Sequence, residues 1–186
     1  SGDWRRILYH GNKTGYVSAQ YLSSSSSVTY AKITLSVPNF KQTDSRWANT
    51  LIGSSGKTIA QIGCATTAVA MMESYRTGTT IYPHVMSKQL TYTSSGNLYW
   101  PSHYTTITSS SAYLSKIYSL LQSGKPVLFG AKTSAGKQHW VVITGFTGGN
   151  TLSASSFTIH DPGSTQRTTL QHFLNAYPIF YKYFHY

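Results

Sequence analysis

Three residues combine a reactive side-chain type with a setting that chemistry can use. Cys64, the only cysteine, follows a glycine in Ile59-Ala60-Gln61-Ile62-Gly63-Cys64-Ala65-Thr66-Thr67, where the spacing predicts the start of a helix. Unpaired N–H groups and the helix dipole favour an anion there, the condition under which a thiol reacts as a thiolate nucleophile. A free cysteine is as readily a small buried hydrophobe, and position alone does not choose between the two. His139, in Gly136-Lys137-Gln138-His139-Trp140, stands at the mouth of an apolar run that reads as a strand. Imidazole ordinarily titrates near neutrality, which suits a general base, although one of seven histidines at a sheet edge can be an ordinary surface residue. Asp161 ends another strand-like run in His160-Asp161-Pro162-Gly163, where it either orients a histidine or simply caps a turn.

The acid count narrows the field. The 186 residues include only four carboxylates (Asp3, Asp44, Glu73 and Asp161) against 15 Lys and Arg, a formal net charge of +11. Two-carboxylate glycosidases need a close acidic pair and EF-hands or two-metal phosphatases a cluster of oxygen ligands, and four scattered carboxylates do not favour either. Downstream of Cys64 only Glu73 and Asp161 remain, and Glu73 falls on the cysteine's own predicted helix. If a carboxylate serves His139, Asp161 is the candidate. No His-x-x-x-His or Cys-x-x-Cys spacing supports a metal site, so neither metal nor cofactor is expected. The basic excess favours anionic partners. Anionic wall polymers fit it; the scattered Lys and Arg carry no nucleic-acid signature.

These residues need elements to hold them. Apolar spacing predicts helices over residues 65–76, 83–90 and 112–121, with a shorter one over 169–176. Residues 126–131, 140–146, 157–160 and 180–184 are rich in β-branched and aromatic side chains and read as strands. Helices first and strands later imply an α+β domain with an antiparallel sheet. The Ser/Thr/Tyr-rich stretch 91–111 shows no pattern and reads as loop. No apolar run approaches the ~20 residues of a membrane span. With no initiator Met, signal peptide or lipidation motif, a mature or excised piece is expected.

The N-terminal segment differs. Residues 4–9 and 15–17 read as short strands around His10-Gly11-Asn12. Trp4-Arg5-Arg6-Ile7-Leu8-Tyr9 through Gly15-Tyr16-Val17-Ser18-Ala19-Gln20-Tyr21-Leu22 resembles the C-terminal part of a bacterial SH3-like domain. Residues 1–22 are therefore assigned to a fragment of such a domain and residues 23–33, with five consecutive serines, to a linker. Residues 34–186 make up the main domain.

In that domain Val37-Pro38-Asn39-Phe40-Lys41-Gln42-Thr43-Asp44-Ser45-Arg46-Trp47-Ala48, Gln61-Ile62-Gly63-Cys64, Gly124-Lys125-Pro126-Val127, His139-Trp140-Val141-Val142-Ile143 and Ile159-His160-Asp161-Pro162-Gly163 follow in order. Together they resemble the C39-like cysteine peptidases. The resemblance implies a papain-like fold, with a helix-borne cysteine packed on an antiparallel sheet carrying histidine and aspartate. It also implies Cys64 as nucleophile, His139 as base, Asp161 as the orienting acid and Gln42, or alternatively Gln61, as an oxyanion-hole donor. Ala65 departs from the glycine that many relatives carry after the cysteine. The expected activity is thiol-dependent hydrolysis of amide bonds in proteins or peptidoglycan peptides, by an extracellular or wall-associated protein of bacterial or phage origin. A wall-binding or adhesion module with a degenerate peptidase site is the alternative.

Overall fold

A computed structural model describes residues 3–10, 13–21 and 28–186. The serine run, residues 23–27, and the Gly11-Asn12 turn lie outside the described residues. Strands β1 (Trp4–Tyr9) and β2 (Lys13–Ser18) pair antiparallel as a separate two-stranded sheet, with Trp4 opposite Ser18. No described residue of this hairpin is buried, and Trp4, Leu8 and Tyr16 are exposed.

The main sheet starts at β3 (Ile33–Thr34), which pairs with the far end of a later strand, and Tyr30 already bridges Gly149. Residues 30–33, assigned from sequence to the linker, are thus attached to the sheet. A two-residue strand is too short for its period to show in a sequence. Next come α1 (Ile59–Ile62), α2 (Cys64–Thr77), α3 (Pro83–Gln89), β4 (Thr105–Ile107), α4 (Tyr113–Gln122), β5 (Val127–Lys132), β6 (Gln138–Phe146), β7 (Phe157–His160), α5 (Leu170–Ala176) and β8 (Ile179–His185). Neighbours run β3-β6-β5-β8-β4, with β7 also on β6, and every pairing is antiparallel.

Strands β5 and β6 are buried along almost their whole length because helices cover both faces of the sheet. Leu128, Trp140 and Val142 pack with α2 and α3, alongside Val69, Met72 and Met86. Phe129, Val141 and Ile143 pack with α4 and α5, alongside Ile117, Leu121 and Phe173. Apolar spacing marked the helix α2, yet its polar positions are covered too: every residue from Thr66 to Ser74 is buried. The helix lies between the sheet and α3 and is enclosed on all sides, so Glu73 and Ser74 are buried with it. Gly78 stops α2 in the left-handed conformation (φ 68°) that glycine adopts without strain.

Residues 91–111 carry more order than their composition suggests. Tyr92 bridges Leu98 antiparallel, and β4 adds an edge strand along β8 with Ile107 opposite Tyr183. The polar residues hide this because these two pairings are made by the backbone. No helix among the described residues is long and apolar enough to cross a membrane.

Candidate active site

Cys64 opens α2 directly after α1, with Gly63 as the joint. A Cβ at Gly63 would lie 2.5 Å from the Ile59 carbonyl oxygen, so only glycine lets the chain pass from one helix into the next here. Gln61 secures the start of α1: its Oε1 accepts the Thr58 N–H at 2.9 Å. Cys64 is only partly buried and faces a cleft at the front of a 14-residue helix, where the dipole favours an anion.

His139 and Asp161 approach from the sheet. The antiparallel register that sets Val142 opposite His160 brings Asp161 level with the start of β6. His139 Nε2 lies 2.6 Å from Asp161 Oδ1, which leaves Nδ1 as the ring nitrogen for the thiol. The carboxylate is fully buried, and three groups donate to it: the His139 ring, the Gly163 N–H at 2.8 Å and Arg167 Nε at 2.6 Å. Burial pushes the Asp161 pKa up, but these hydrogen bonds and the charge of His139 outweigh it and hold the carboxyl below its usual range. Burial likewise pulls His139 down. Its hydrogen bonds to Asp161 and Cys64, with the charges of both, prevail and raise it to about 9. At neutral pH the ring is therefore an imidazolium, whereas the sequence suggested an ordinary histidine titrating near neutrality.

The turn that holds Asp161 is clamped from the other layer. Lys41 Nζ donates to the carbonyls of Asp161 at 2.6 Å and Ser164 at 2.9 Å, and the Gln42 N–H donates to the Pro162 carbonyl at 2.9 Å. Gln42 then reaches back to the helical side, its Nε2 donating to the Ala60 carbonyl at 2.8 Å. That contact fixes which end of the amide is nitrogen, because a flipped group would set two oxygens together. Gln42 and Gln61 both line the cleft beside Cys64, but the Gln61 oxygen is committed to capping α1.

Two grooves meet at Cys64. The larger, about 540 Å³, is walled by Ile62, Tyr92, Trp100, Trp140 and Lys182. The smaller, about 300 Å³, holds Gln42, His139, Gly163, Arg167 and Tyr177. Tyr92 is tied to the nucleophile's helix by a 2.9 Å bond with the Thr66 hydroxyl. The stretch read from sequence as a loop thus builds one wall of the cleft. Among the described residues no three His, Cys, Asp or Glu side chains cluster as metal ligands.

A family model, that of the Peptidase_C39 like family, matches residues 34–185. The chain belongs to this family. Its members are cysteine peptidases, hydrolases that act on peptide substrates. No curated protein matches the sequence.

Sequence reasoning missed two parts of this C39-like cleft. Arg167 pairs with Asp161, and Tyr177 stacks on His139 with ring centroids 5.1 Å apart and planes 25° apart. Phe173, one turn back on α5, packs on Tyr177 at 5.0 Å, and the Arg167 guanidinium lies 5.6 Å from the Tyr177 ring. Neither Arg167 nor Tyr177 stands in a motif of the sequence; Phe173 and Tyr177 share only a four-residue spacing.

Proposed function

We propose that this chain hydrolyses amide bonds through Cys64, His139 and Asp161 on a papain-like scaffold. The observation that carries the reading is the chain of contacts from Asp161 Oδ1 through the His139 ring to the partly exposed thiol at the front of α2. His139 Nδ1 carries the proton that leaves Cys64. The Cys64 sulfur attacks the substrate carbonyl carbon, a C–S bond forms, and the carbonyl π pair moves onto oxygen. The Cys64 backbone N–H and the second N–H of Gln42 Nε2, the first being held by the Ala60 carbonyl, take that oxyanion, each donor contributing roughly 3 kcal/mol in comparable sites. When the tetrahedral adduct collapses the C–N bond breaks, and the leaving amine takes the proton from His139 Nδ1. Water attacks the thioester and gives a proton back to the ring. The C–S bond then breaks, which restores the thiolate and releases the acid.

Asp161 anchors Nε2 throughout, so that Nδ1 stays aimed at sulfur. Arg167 and the Gly163 N–H keep the carboxylate ionised and in place. Tyr177 covers one face of the ring and shields the His139–Asp161 bond from water, as an aromatic stacked at 5.1 Å would.

We further propose an extracellular, wall-associated setting, with peptidoglycan peptides or wall proteins as substrates. The basic excess and the resemblance of the N-terminal hairpin to an SH3-like segment support it. Iodoacetamide should label Cys64 rapidly at neutral pH, and product mass spectrometry on a peptide library and on purified walls should show new amines with wild type only. Labelling only after denaturation, or identical products from Cys64→Ala, would sink the proposal; wall retention with no released peptide favours the binding module.

A further inference from the structure

Around Cys64 the free charge has one sign. Lys182 lines the larger groove and Lys137 the smaller, where Arg167 is already paired with Asp161. Among the described residues no carboxylate lines either one. The four acids are each matched by an arginine: Asp3 by Arg5, Asp44 by Arg46, Glu73 by Arg76 and Asp161 by Arg167. No lysine takes part in an ion pair among the described residues.

Lys182 differs from a surface lysine waving in solvent. It is half-buried, and its ammonium is held 4.8 Å from the Tyr181 ring centroid, 5.3 Å from that of Phe184 and 5.8 Å from that of Trp100. Aromatic faces hold a cation in place, yet they leave its N–H donors without a charged acceptor. The side chain is thus partly desolvated and pre-positioned, so an incoming anion gains attraction at little ordering cost.

The two grooves also take different halves of a substrate. The leaving amine must reach the ring that protonates it, and His139 lines only the smaller groove. The acyl half therefore lies in the larger groove, against Trp100 and Lys182. We propose that the cleft selects peptides carrying a carboxylate on the acyl side of the scissile bond, with Lys182 as the residue that sets this specificity. The inference rests on the hydrolase reading for which half of a substrate lies where; the charge of the groove stands without it.

Peptides identical except for Glu, Gln or Lys at one position N-terminal to the cleaved bond provide the direct test. Wild type should favour Glu over Gln by about fivefold in kcat/KM at low salt, the order expected of one partly desolvated charge pair, and should cleave the Lys peptide slowest. Lys182→Gln should bring the Glu-to-Gln ratio below about twofold, and Lys182→Glu should invert the order, while Lys116→Gln on α4 leaves the ratio as in wild type. A wild-type ratio near one, or a ratio untouched by Lys182→Gln, overturns the proposal.

Alkylation of Cys64 reads the same field with no substrate. The rate ratio of anionic iodoacetate to neutral iodoacetamide should fall about twofold or more from wild type to Lys182→Gln, and an unchanged ratio again overturns the proposal. The two failures are distinct. Cleavage without charge preference breaks the specificity and keeps the hydrolase; a Lys182-dependent alkylation ratio in a protein that cleaves no peptide does the reverse.

Discussion

Two of the four carboxylates are built from the same parts, and only one of them meets a thiol. Asp161 bonds a histidine and an arginine, His139 at 2.6 Å and Arg167 at 2.6 Å. Glu73 does the same with His103 at 2.9 Å and Arg76 at 2.9 Å. Both acids are buried, and in both cases burial, which raises the carboxyl pKa, is outweighed by the hydrogen bonds, so each is held below its usual range. The difference lies in the histidine. His103 is 45% exposed and packs edge-on against Tyr104, whereas the His139 side chain is 9% exposed, roofed by Tyr177 and close enough to Cys64 to be raised by it. A carboxylate–histidine–arginine cluster is therefore a structural fastener until a nucleophile and a water-excluding wall are added. Glu73 ties α2 to the segment that carries Trp100; Asp161 holds the ring that faces Cys64.

Breaking each cluster in turn should separate the two roles. Asp161→Asn should lower kcat/KM by about a hundredfold or more, the scale of a lost acid–base orientation, while the protein still folds. Glu73→Gln should change kcat/KM by no more than about twofold but destabilise the fold by about 1–3 kcal/mol, because it weakens a buried hydrogen-bonded pair. Peptide hydrolysis and thermal unfolding of both variants check this; the reverse pattern would mean that the fastener and the catalytic acid have been interchanged. The two glutamines beside Cys64 allow the same contrast on a smaller scale. Gln42→Ala should reduce kcat by about ten- to a thousandfold, as removal of an oxyanion donor does. Gln61→Ala should leave kcat unchanged and cost about 1 kcal/mol of stability through the lost cap on α1. A kcat loss in Gln61→Ala with none in Gln42→Ala would exchange their roles.

The contrast also shows what the sequence could and could not reveal. Periodicity located α2 and α4, runs of β-branched and aromatic residues located β5 through β7, and the scarcity of acids singled out Asp161. Short β3, β4 and α1 are held by backbone pairing and one cap, and segments so short have no period to read. Glu73 was legible as a residue of the cysteine's helix, but its partner His103 lies 30 residues away, inside the patternless stretch. Arg167 and Tyr177 were unremarkable in the sequence. Only when β7 runs antiparallel to β6 and α5 folds back over the sheet do they converge on the Asp161–His139 pair. Long-range convergence of this kind is a property of the topology.

The pH dependence of the two clusters should differ as well. Because His139 is raised to about 9, the imidazolium proposed to protonate the leaving amine is lost on the alkaline side near that value. In kcat/KM the wild type should hold activity through pH 8 and fall near pH 9. Asp161→Asn, lacking the carboxylate that raises the ring, should fall at least one unit earlier, while Glu73→Gln keeps the wild-type limb. Identical alkaline limbs in wild type and Asp161→Asn would show that the carboxylate does not hold the ring charged.

The smallest expected effect lies in stability, and its sign follows from the same shift. A histidine whose folded pKa exceeds its unfolded value binds its proton more tightly when folded. Its contribution is full below the unfolded value of 6.5 and is lost as pH rises through about 9. Asp161 behaves oppositely, since its folded pKa is depressed; its contribution is present above the ordinary 3.8 and is lost as pH falls through the lower folded value. Urea midpoints measured at pH 6 and pH 9.5 should therefore drop more for wild type than for His139→Gln, which has no proton to lose at that position. Tyrosines and lysines that titrate over the same range are common to both proteins and cancel in the difference. Equal drops would mean that the pair at Asp161 stabilises the fold no more than an uncharged ring does.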